Sequence, residues 1–389
     1  MKYRKFGKSD RLVSALGFGT MRLPTTGKPA DIDEPAAEKM LCRALDDGVN
    51  YVDTAYPYHE GNSERLVGKV LANGYRSKVI LATKMPVWDV NKSEDFDRFL
   101  NEQLDKLQTE HIDFYLLHTL QSTSWRKVRE LGVIEWSEGA KADGRIGRLG
   151  FSFHDTLDAF KEIVDDHDWP FCQIQYNYVA EQCQAGTEGL NYAAEKGLAV
   201  IIMEPLFGGS LVDLPEGLKK VWDAHGEKRT PADFGLQWLW DKPQVSLVLS
   251  GMSTMEQVEE NVESAARSAV GSFSKEDHRL VSLLQAAYEE LSPAPCTKCG
   301  YCLPCPNGVD IPTNIDLYNA GVVFKKNSLS LSKNLYAALP EEQKASACAA
   351  CGECEEKCPQ KIEVAELMPR IHEELKAAEK PKAAEKPNA

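Results

Sequence analysis

From Ala15 to about Ala269, short continuous apolar runs alternate with longer amphipathic stretches. The apolar runs predict strands at ALGFG near Leu16, YVDTA at Tyr51, VILATK at Val79, IDFYLLH at Ile112 and RLGFS at Arg148. They continue with FCQIQY at Phe171, AVIIMEPL at Ala199 and VSLVLSG at Val245. These runs are mostly continuous rather than alternating, as expected of strands covered by helices. Between them lie helical patterns such as EPAAEKMLCRALDDG, SEDFDRFLNEQLDKLQ, TLDAFKEIVDDH, TEGLNYAAEKG and ADFGLQWLW. Eight strand-helix units within roughly 250 residues predict an α/β fold, a (β/α)8 barrel. The alternative is an open doubly wound sheet. Against it, the first strand is followed by GTMRLPTTG, with no GxGxxG turn to cradle a dinucleotide.

Met255 to Leu291 reads as two helices, and SPAP at Ser292 to Pro295 then ends the helical pattern. We therefore divide the chain into a barrel over 1–292, a small, mainly helical domain over 293–371, and a tail over 372–389. The small domain has helical stretches around IDLYNAGVVF and YAALPEEQKASACAAC, with a last helix through VAELMPRIHEELKAAEK. The end, KAAEKPKAAEKPNA, has nothing to bury and is expected to be disordered or a frayed helix.

Composition narrows the function. The 389 residues are 43% hydrophobic and 27% charged, enough for a packed core. Net charge is −14, which argues against broad contact with nucleic acid or anionic lipid. No apolar run approaches the ~20 residues that span a bilayer, and MKYRKFGKSDRLVSALG shows no secretory pattern. Of the 11 cysteines, only Cys42, Cys172 and Cys183 lie outside the C-terminal region. The rest are Cys296, Cys299, Cys302, Cys305, Cys348, Cys351, Cys354 and Cys358. Thiols at two-residue spacings, without an export signal, point to a soft-metal site rather than disulfides. They also point to a reducing compartment, the cytoplasm.

In such a barrel, chemistry sits at the C-terminal ends of the strands. Asp53, Lys84 and His118 end the second, third and fourth strand candidates, and Tyr58 lies in the loop after Asp53. A Tyr near a Lys is a plausible acid, since the ammonium favours phenolate; the Asp balances the Lys, and a His can orient a carbonyl. Taken singly, each of these residues fits a structural role as well.

The chain resembles the aldo-keto reductases from Met1 to about Ser268. The resemblance is carried by YRKFGKSDRLVSALGFGTMRLP, VDTAYPYHEGNSERLVG, LATKMP and FYLLH. It implies that Asp53, Tyr58, Lys84 and His118 are the catalytic tetrad. Tyr58 is then general acid in reduction and base in oxidation, Lys84 and Asp53 set its pKa, and His118 holds the carbonyl oxygen. It also implies hydride transfer between NAD(P)H and a carbonyl or alcohol.

The same resemblance places Gly19 and Thr20 near the cofactor beside Asp53. It assigns Ser152 and Gln175 to the nicotinamide amide, with His154 standing where Asn is commoner. MEPLFGG resembles the segment around the ring and pyrophosphate, giving Met203, Pro205, Leu206 and Gly208. Met203 replaces a ring-stacking Tyr; a core role for it weighs equally. LSGMSTMEQVEEN resembles the adenosine-phosphate segment and gives Gly251, Gln257, Glu260 and Asn261. Gly251 and Gln257 stand where members selective for NADPH carry Lys and Arg. The expectation is therefore NADH, unless Arg267 or a side chain outside the motif supplies the charge.

CTKCGYCLPCP and CAACGECEEKCP resemble a bacterial two-cluster ferredoxin, implying two [4Fe-4S] clusters. Crosswise ligation would give one cluster Cys296, Cys299, Cys302 and Cys358, and the other Cys305, Cys348, Cys351 and Cys354. The first motif has one residue fewer than usual before Cys305. The stretch 307–347 is longer than a compact ferredoxin needs, so a helical relative is expected. Two tetrahedral zinc sites are the alternative.

Two readings of the whole follow. One is a carbonyl reductase whose clusters serve structure, electron transfer or docking of a redox protein partner. The other is a non-catalytic nicotinamide-binding sensor or electron-transfer adaptor. The substrate is a small carbonyl or alcohol. Trp88 and Trp125, in loops beyond Lys84 and His118, either line its pocket or pack those loops. Cys183 is most simply a loop thiol.

Overall fold

The computed structural model describes residues 1–296 and 300–376, with only the backbone of 326 and 327. Two compact units emerge: Met1–Leu206 with Lys228–His278, and Phe207–Glu227 with the chain from Arg279 onward. The segments 207–227 and 279–292, which the sequence places with the barrel, pack with the C-terminal unit.

The first unit opens with an antiparallel hairpin, β1 (Tyr3–Lys5) and β2 (Leu12–Ser14). Eight parallel strands follow: β3 (Leu16–Gly19), β4 (Tyr51–Asp53), β5 (Ile80–Met85), β6 (Ile112–Leu120), β7 (Ile146–Phe153), β8 (Phe171–Gln175), β9 (Ala199–Met203) and β10 (Val245–Gly251). They close in the order β10-β3-β4-β5-β6-β7-β8-β9, so the barrel is formed and the open sheet is excluded.

The helices of the first ring are α1 (Glu34–Asp46), α2 (Asn62–Ala72), α3 (Glu94–Leu107), α4 (Ser122–Glu130), α5 (Val133–Ala142), α6 (Leu157–Asp166) and α7 (Gly186–Lys196). After β9 come α8 (Glu216–His225), α9 (Pro231–Trp240), α10 (Met255–Arg267) and α11 (Lys275–Leu291). Several start on side-chain caps: Asp33 on Ala36 N, Thr156 on Ala159 N, Thr230 on Asp233 N and Thr254 on Gln257 N.

The barrel interior is filled, not hollow. Phe6 from the hairpin stacks on Phe114 at 4.7 Å between centroids, and Phe114 meets Phe171 at 4.9 Å. Tyr51, Ala82, Leu116, Ile201 and Leu247 complete this layer. A Cβ at Gly150 would come within 2.5 Å of the Phe171 ring, so only glycine lets that ring in. The polar layer above it is thereby built on a rigid floor.

The second unit is helical, with α12 (Ile311–Ala338), α13 (Glu353–Lys357) and α14 (Val364–Leu375). α12 and α14 bury Ile315, Tyr318, Leu367, Met368 and Ile371, and six of the cysteines pack against this core. The helix expected through YAALPEEQKASACAAC instead stops at Ala338. Pro340 follows, and two short 3-10 turns, Glu341–Gln343 and Ala345–Ala347, carry the chain to Cys348. α14 reaches Leu375, into the first residues assigned to the tail; 377–389 lie outside the described residues. Among the described residues, no helix is long and apolar enough to cross a membrane.

Candidate active site and cysteine cluster

Strand register brings Asp53, Lys84 and His118 to one end of the barrel. Asp53 closes β4, Lys84 lies near the end of β5, and His118 sits in the last third of β6. Tyr58 opens a 3-10 turn, Tyr58–Gly61, just beyond β4. The Lys84 ammonium donates to Asp53 Oδ1 at 2.5 Å and to the Thr54 carbonyl at 2.7 Å. Its Nζ lies 4.9 Å from the Tyr58 ring centre. His118 meets the Tyr58 ring edge-on at 5.9 Å. The structure thus gathers all four residues.

The protonation pattern follows from burial. Burial opposes charge on Lys84, but Asp53 and Tyr58 outweigh it, so Lys84 holds its proton above the ordinary value. Asp53 is lifted by burial, against the pull of Lys84. Tyr58 is likewise raised by burial, while Lys84 pulls it down. The ammonium acts on the phenol in the expected direction, but loss of water around the ring outweighs it. His118 is driven well below its usual range by burial, by Lys84 and by His154, and is neutral. The tetrad therefore pairs a protonated phenol with a neutral imidazole over a buried ion pair.

A second set of side chains fixes this geometry. Thr20 Oγ1 donates to the Asp53 carbonyl at 3.0 Å, and Ser63 Oγ donates to Thr20 Oγ1 at 2.7 Å. Glu64, fully buried, accepts from Thr83 and Gln103, both at 2.6 Å, and pairs with Lys106 at 3.2 Å. Gln103 also donates to the Lys84 carbonyl at 3.1 Å. Ser63 and Glu64 were visible in the sequence as part of GNSERLVG; Gln103 carried no signal.

The expected cofactor residues are partly tied to one another. Ser152 Oγ accepts from Thr119 N at 2.8 Å. His154 Nδ1 and Gln184 Oε1 are 3.1 Å apart, and Gln184 Nε2 donates to Gln175 Oε1 at 3.2 Å. Gln184 is a link that the sequence did not reveal. Cys183, beside it, lies 3.9 Å from Gln175 Nε2, so this loop thiol borders the site. Met203 ends β9, with its sulfur 3.6 Å from Gln173 Nε2. Gly19 ends β3, and Pro205 and Leu206 continue the chain after β9. Gly208 falls in the turn Phe207–Gly209, within the C-terminal unit.

At β10, Gln257 Oε1 accepts from Ser253 N at 2.8 Å, Glu260 bonds Thr230, and Asn261 donates to Ser250 Oγ at 3.0 Å. Arg267 is engaged by Asp233 at 3.0 Å and by Glu263 at 2.8 Å. Gly251 is covered instead by Arg22, whose Cβ lies 3.2 Å from where a Cβ on Gly251 would be.

Trp88 reaches His118, with ring centres 5.2 Å apart, and is 47% exposed. It also lines a groove of about 920 Å³ with Tyr56, Pro57, Glu60, Asp89 and Lys106, whose lining includes none of Asp53, Tyr58, Lys84 and His118. Trp125, by contrast, is buried, with its indole N–H on Asp166. It packs its loop.

In the second unit, Cys296, Cys302, Cys354 and Cys358 line one pocket with Ile311, Ile315 and other apolar side chains. Cys348 and Cys305 act electrostatically on the Cys354 thiol, which burial raises most. Gly300 and Gly352 take left-handed φ of 73° and 78° where the cysteine loops turn. Cys299 lies outside the described residues. Soft sulfur donors in an apolar shell suit an iron-sulfur cluster.

Residues 15–281 match the model of the aldo/keto reductase family, and 295–363 match that of a 4Fe-4S dicluster domain. The oxidoreductase YrpG of Bacillus subtilis strain 168 is 29% identical over 303 residues, covering 67% of this chain and 90% of that protein. The 6-dehydroglucose reductase of Novosphingobium aromaticivorans is 28% identical over 286 residues, covering 67% and 89%. The holo form of aldo-keto reductase AKR11C1 from Bacillus halodurans superposes with a TM-score of 0.62 at 28% identity, covering 73% of this chain and 96% of that one.

Proposed function

Because the chain belongs to the aldo/keto reductase family and carries a 4Fe-4S dicluster domain, we propose that it moves hydride between NAD(P)H and a small carbonyl or alcohol at Tyr58. One observation carries this reading: the sealed Lys84–Asp53 pair beside Tyr58, with neutral His118 at the ring edge. When bound, a reduced nicotinamide supplies the hydride. Tyr58 donates the proton to the carbonyl oxygen in reduction and takes it back in oxidation. Lys84 stabilises the phenolate that donation leaves, and Asp53 keeps Lys84 charged. His118, being neutral, can orient the carbonyl without competing for its proton. Among the described residues, the buried atoms Asp53 Oδ2 and His118 Nδ1 have no hydrogen-bond partner, which leaves them able to bond a bound cofactor or substrate.

For the dinucleotide, Ser152, His154 and Gln175 would hold the amide, with Gly19, Thr20, Met203, Pro205, Leu206 and Gly208 around the ring and phosphates. Gly251, Gln257, Glu260 and Asn261 would border the adenosine. NADH is the cofactor we propose, since Gln257 and Arg267 are both committed to neighbours and Glu256 is an exposed acid. The substrate is a small carbonyl compound; the 6-dehydroglucose reductase named above makes sugars a sensible first class to assay.

The cysteines would hold two [4Fe-4S] clusters crosswise, and such clusters supply one-electron transfer. The electrostatic effect of Cys305 and Cys348 on Cys354 supports that ligand set, and Cys296, Cys302, Cys354 and Cys358 line one pocket that brings both motifs together. Their service to structure, electron transfer or a redox protein partner, in the cytoplasm, completes the proposal.

The test is anaerobic turnover of NADH and NADPH over a panel of aldehydes, ketones and sugars, with Tyr58→Phe alongside. Carbonyl reduction should fall by about two to four orders of magnitude in the variant. Unchanged reduction by Tyr58→Phe would sink the assignment.

A further inference from the structure

Tyr58 opens a turn that its own residues disfavour. In the turn Tyr58–Gly61, His59 has φ 52° and ψ 40°, and Glu60 has φ 56° and ψ 34°. Gly61 follows at φ 89°. Three consecutive residues are thus left-handed, and two of them are not glycine. A Cβ makes this conformation costly by crowding the following carbonyl oxygen, so side-chain-bearing residues avoid runs of it. The main-chain bonds of the turn run from Tyr58 N to the Ala55 carbonyl and from Glu60 N to the Pro57 carbonyl, both at 3.1 Å. Each spans three residues, as the bonds of a right-handed turn also do, so they do not select the left-handed form. The surroundings must enforce it.

Two side chains do so, and both reach the same loop. His59 Nδ1 lies 2.6 Å from the Pro29 carbonyl. A carbonyl can only accept, so Nδ1 carries the hydrogen and donates it. Asn62 Nδ2, at the start of α2, donates to the Ala30 carbonyl at 3.0 Å. The loop they grip is itself braced. Thr26 N donates to the Asp31 carbonyl and Asp33 N to the Pro24 carbonyl, both at 2.8 Å, and Thr25 pairs with Ile32 in a β-bridge. Asp33 then caps α1. Among the described residues, His59 Nε2 is buried with no partner, so the Pro29 bond is the polar anchor of this ring.

Beyond the turn, α2 is fixed: Ser63 Oγ donates to Thr20 Oγ1, and Glu64 accepts from Thr83 and Gln103. If 59 and 60 relaxed to right-handed backbone, the shift would therefore fall on Tyr58. The Tyr58 ring is located by packing, with Lys84 Nζ 4.9 Å from its centre and His118 edge-on at 5.9 Å. Such contacts are weakly directional, so the main chain decides where the hydroxyl lies. We propose that His59 is a positioning residue, whose bond to Pro29 holds the turn left-handed and the Tyr58 hydroxyl at the place where the carbonyl oxygen arrives. The inference rests on Tyr58 being the proton donor in reduction. A reacting group misplaced by about 1 Å loses about a hundredfold in rate. His59 acts through the main chain of its neighbour, and no bond is made or broken on its ring during reduction.

The experiment uses the full-length, cluster-loaded protein with NADH and the carbonyl of the panel above that wild type reduces fastest. His59→Gly, His59→Asn, His59→Gln and Tyr58→Phe are compared in kcat, KM and the Kd of NADH. Glycine accepts the left-handed backbone but removes the ring, so His59→Gly keeps the turn accessible and loses its anchor. Asparagine also tolerates that backbone and carries an amide N–H near the place of Nδ1, whereas glutamine carries its amide one carbon further out. His59→Gly and His59→Gln should lower kcat by about tenfold or more, with KM and the Kd of NADH within about threefold of wild type. His59→Asn should keep kcat within about threefold, a rescue by the donor in the right place. A His59→Gly protein that turns over as wild type would overturn the proposal. So would a loss of kcat in His59→Gly matched by an equal loss of NADH binding, which marks a general collapse of the site. If His59→Gly does not fold, the Asn and Gln variants decide, and equal kcat in those two overturns the proposal. Tyr58→Phe separates the two levels. If it reduces as wild type, or if wild type reduces no panel carbonyl, the Tyr58 reading fails and this inference with it. If Tyr58→Phe is inactive while His59→Gly behaves as wild type, only the His59 inference fails.

Discussion

The Arg22 side chain lies across Gly251, its Cβ, Cγ and Cδ all within 3.3 Å of where a Cβ on Gly251 would sit. Any side chain at 251 would have to displace it. Ser253 Oγ donates to the Arg22 carbonyl at 2.7 Å and pins the backbone there. No ion pair of the Arg22 guanidinium is found among the described residues, so a cation stands at the rim, delivered from the first strand's loop rather than from LSGMSTMEQVEEN itself.

This cation is expected to meet a phosphate common to both dinucleotides. Arg22→Ala should raise the Kd of NADH and of NADPH by about tenfold each, as for one charge-assisted contact at an exposed site. Fluorescence titration of each cofactor measures it. A loss confined to NADPH, or NADPH binding at least tenfold more tightly than NADH to wild type, would reverse the cofactor preference.

Arg22 also shows where reading the sequence stops. The eight strands were legible because each is a continuous run buried on both faces, and Asp53, Lys84 and His118 were legible because each sits near the end of its run. Arg22 and Gln184 were not. Their placement depends on neighbours far away in sequence: Gly251 for Arg22, Gln175 and His154 for Gln184. The end of α12 failed for a local reason, since Pro340 outweighed the helix-forming residues around it.

Lys84 and Asp53 form an ion pair with almost no solvent access, 1% and 4% exposed. Removing one partner of such a pair leaves a buried, uncompensated charge, at a cost of about 3–5 kcal/mol. Lys84→Met should therefore unfold at lower denaturant by about that amount as well as abolish reduction. The double variant Lys84→Met with Asp53→Leu should regain much of the stability and none of the activity. Urea melts with parallel assays separate the two effects.

His118 and His154 are both held neutral, His154 down at about 4, by burial in each case before any other cause. A histidine whose folded pKa lies below its unfolded value takes up its proton more readily when unfolded. Its contribution to stability is therefore complete above about pH 6.5 and drains away as the pH falls toward 4. The urea midpoint should fall over that window, and the fall should be shallower in His154→Asn. An identical pH dependence in the two proteins would place the acid sensitivity elsewhere.

Crosswise ligation of the clusters predicts which pairs of cysteines stand or fall together. Cys305 is expected to share a cluster with Cys354, on whose thiol its charge acts, although it belongs to the first motif in sequence. Cys358 belongs to the second motif but lines the pocket of Cys296 and Cys302, as does Cys354. Wild type, assembled anaerobically, should bind about eight irons and eight sulfides, as two cubanes require. The double variant Cys305→Ala with Cys354→Ala should lose one cluster and keep about four irons, and so should Cys302→Ala with Cys358→Ala. If each motif instead ligated its own cluster, either double variant would strike both and leave almost no iron. Iron and sulfide content with EPR on the reduced proteins distinguishes these outcomes, and two zincs with no colour in wild type would refute both.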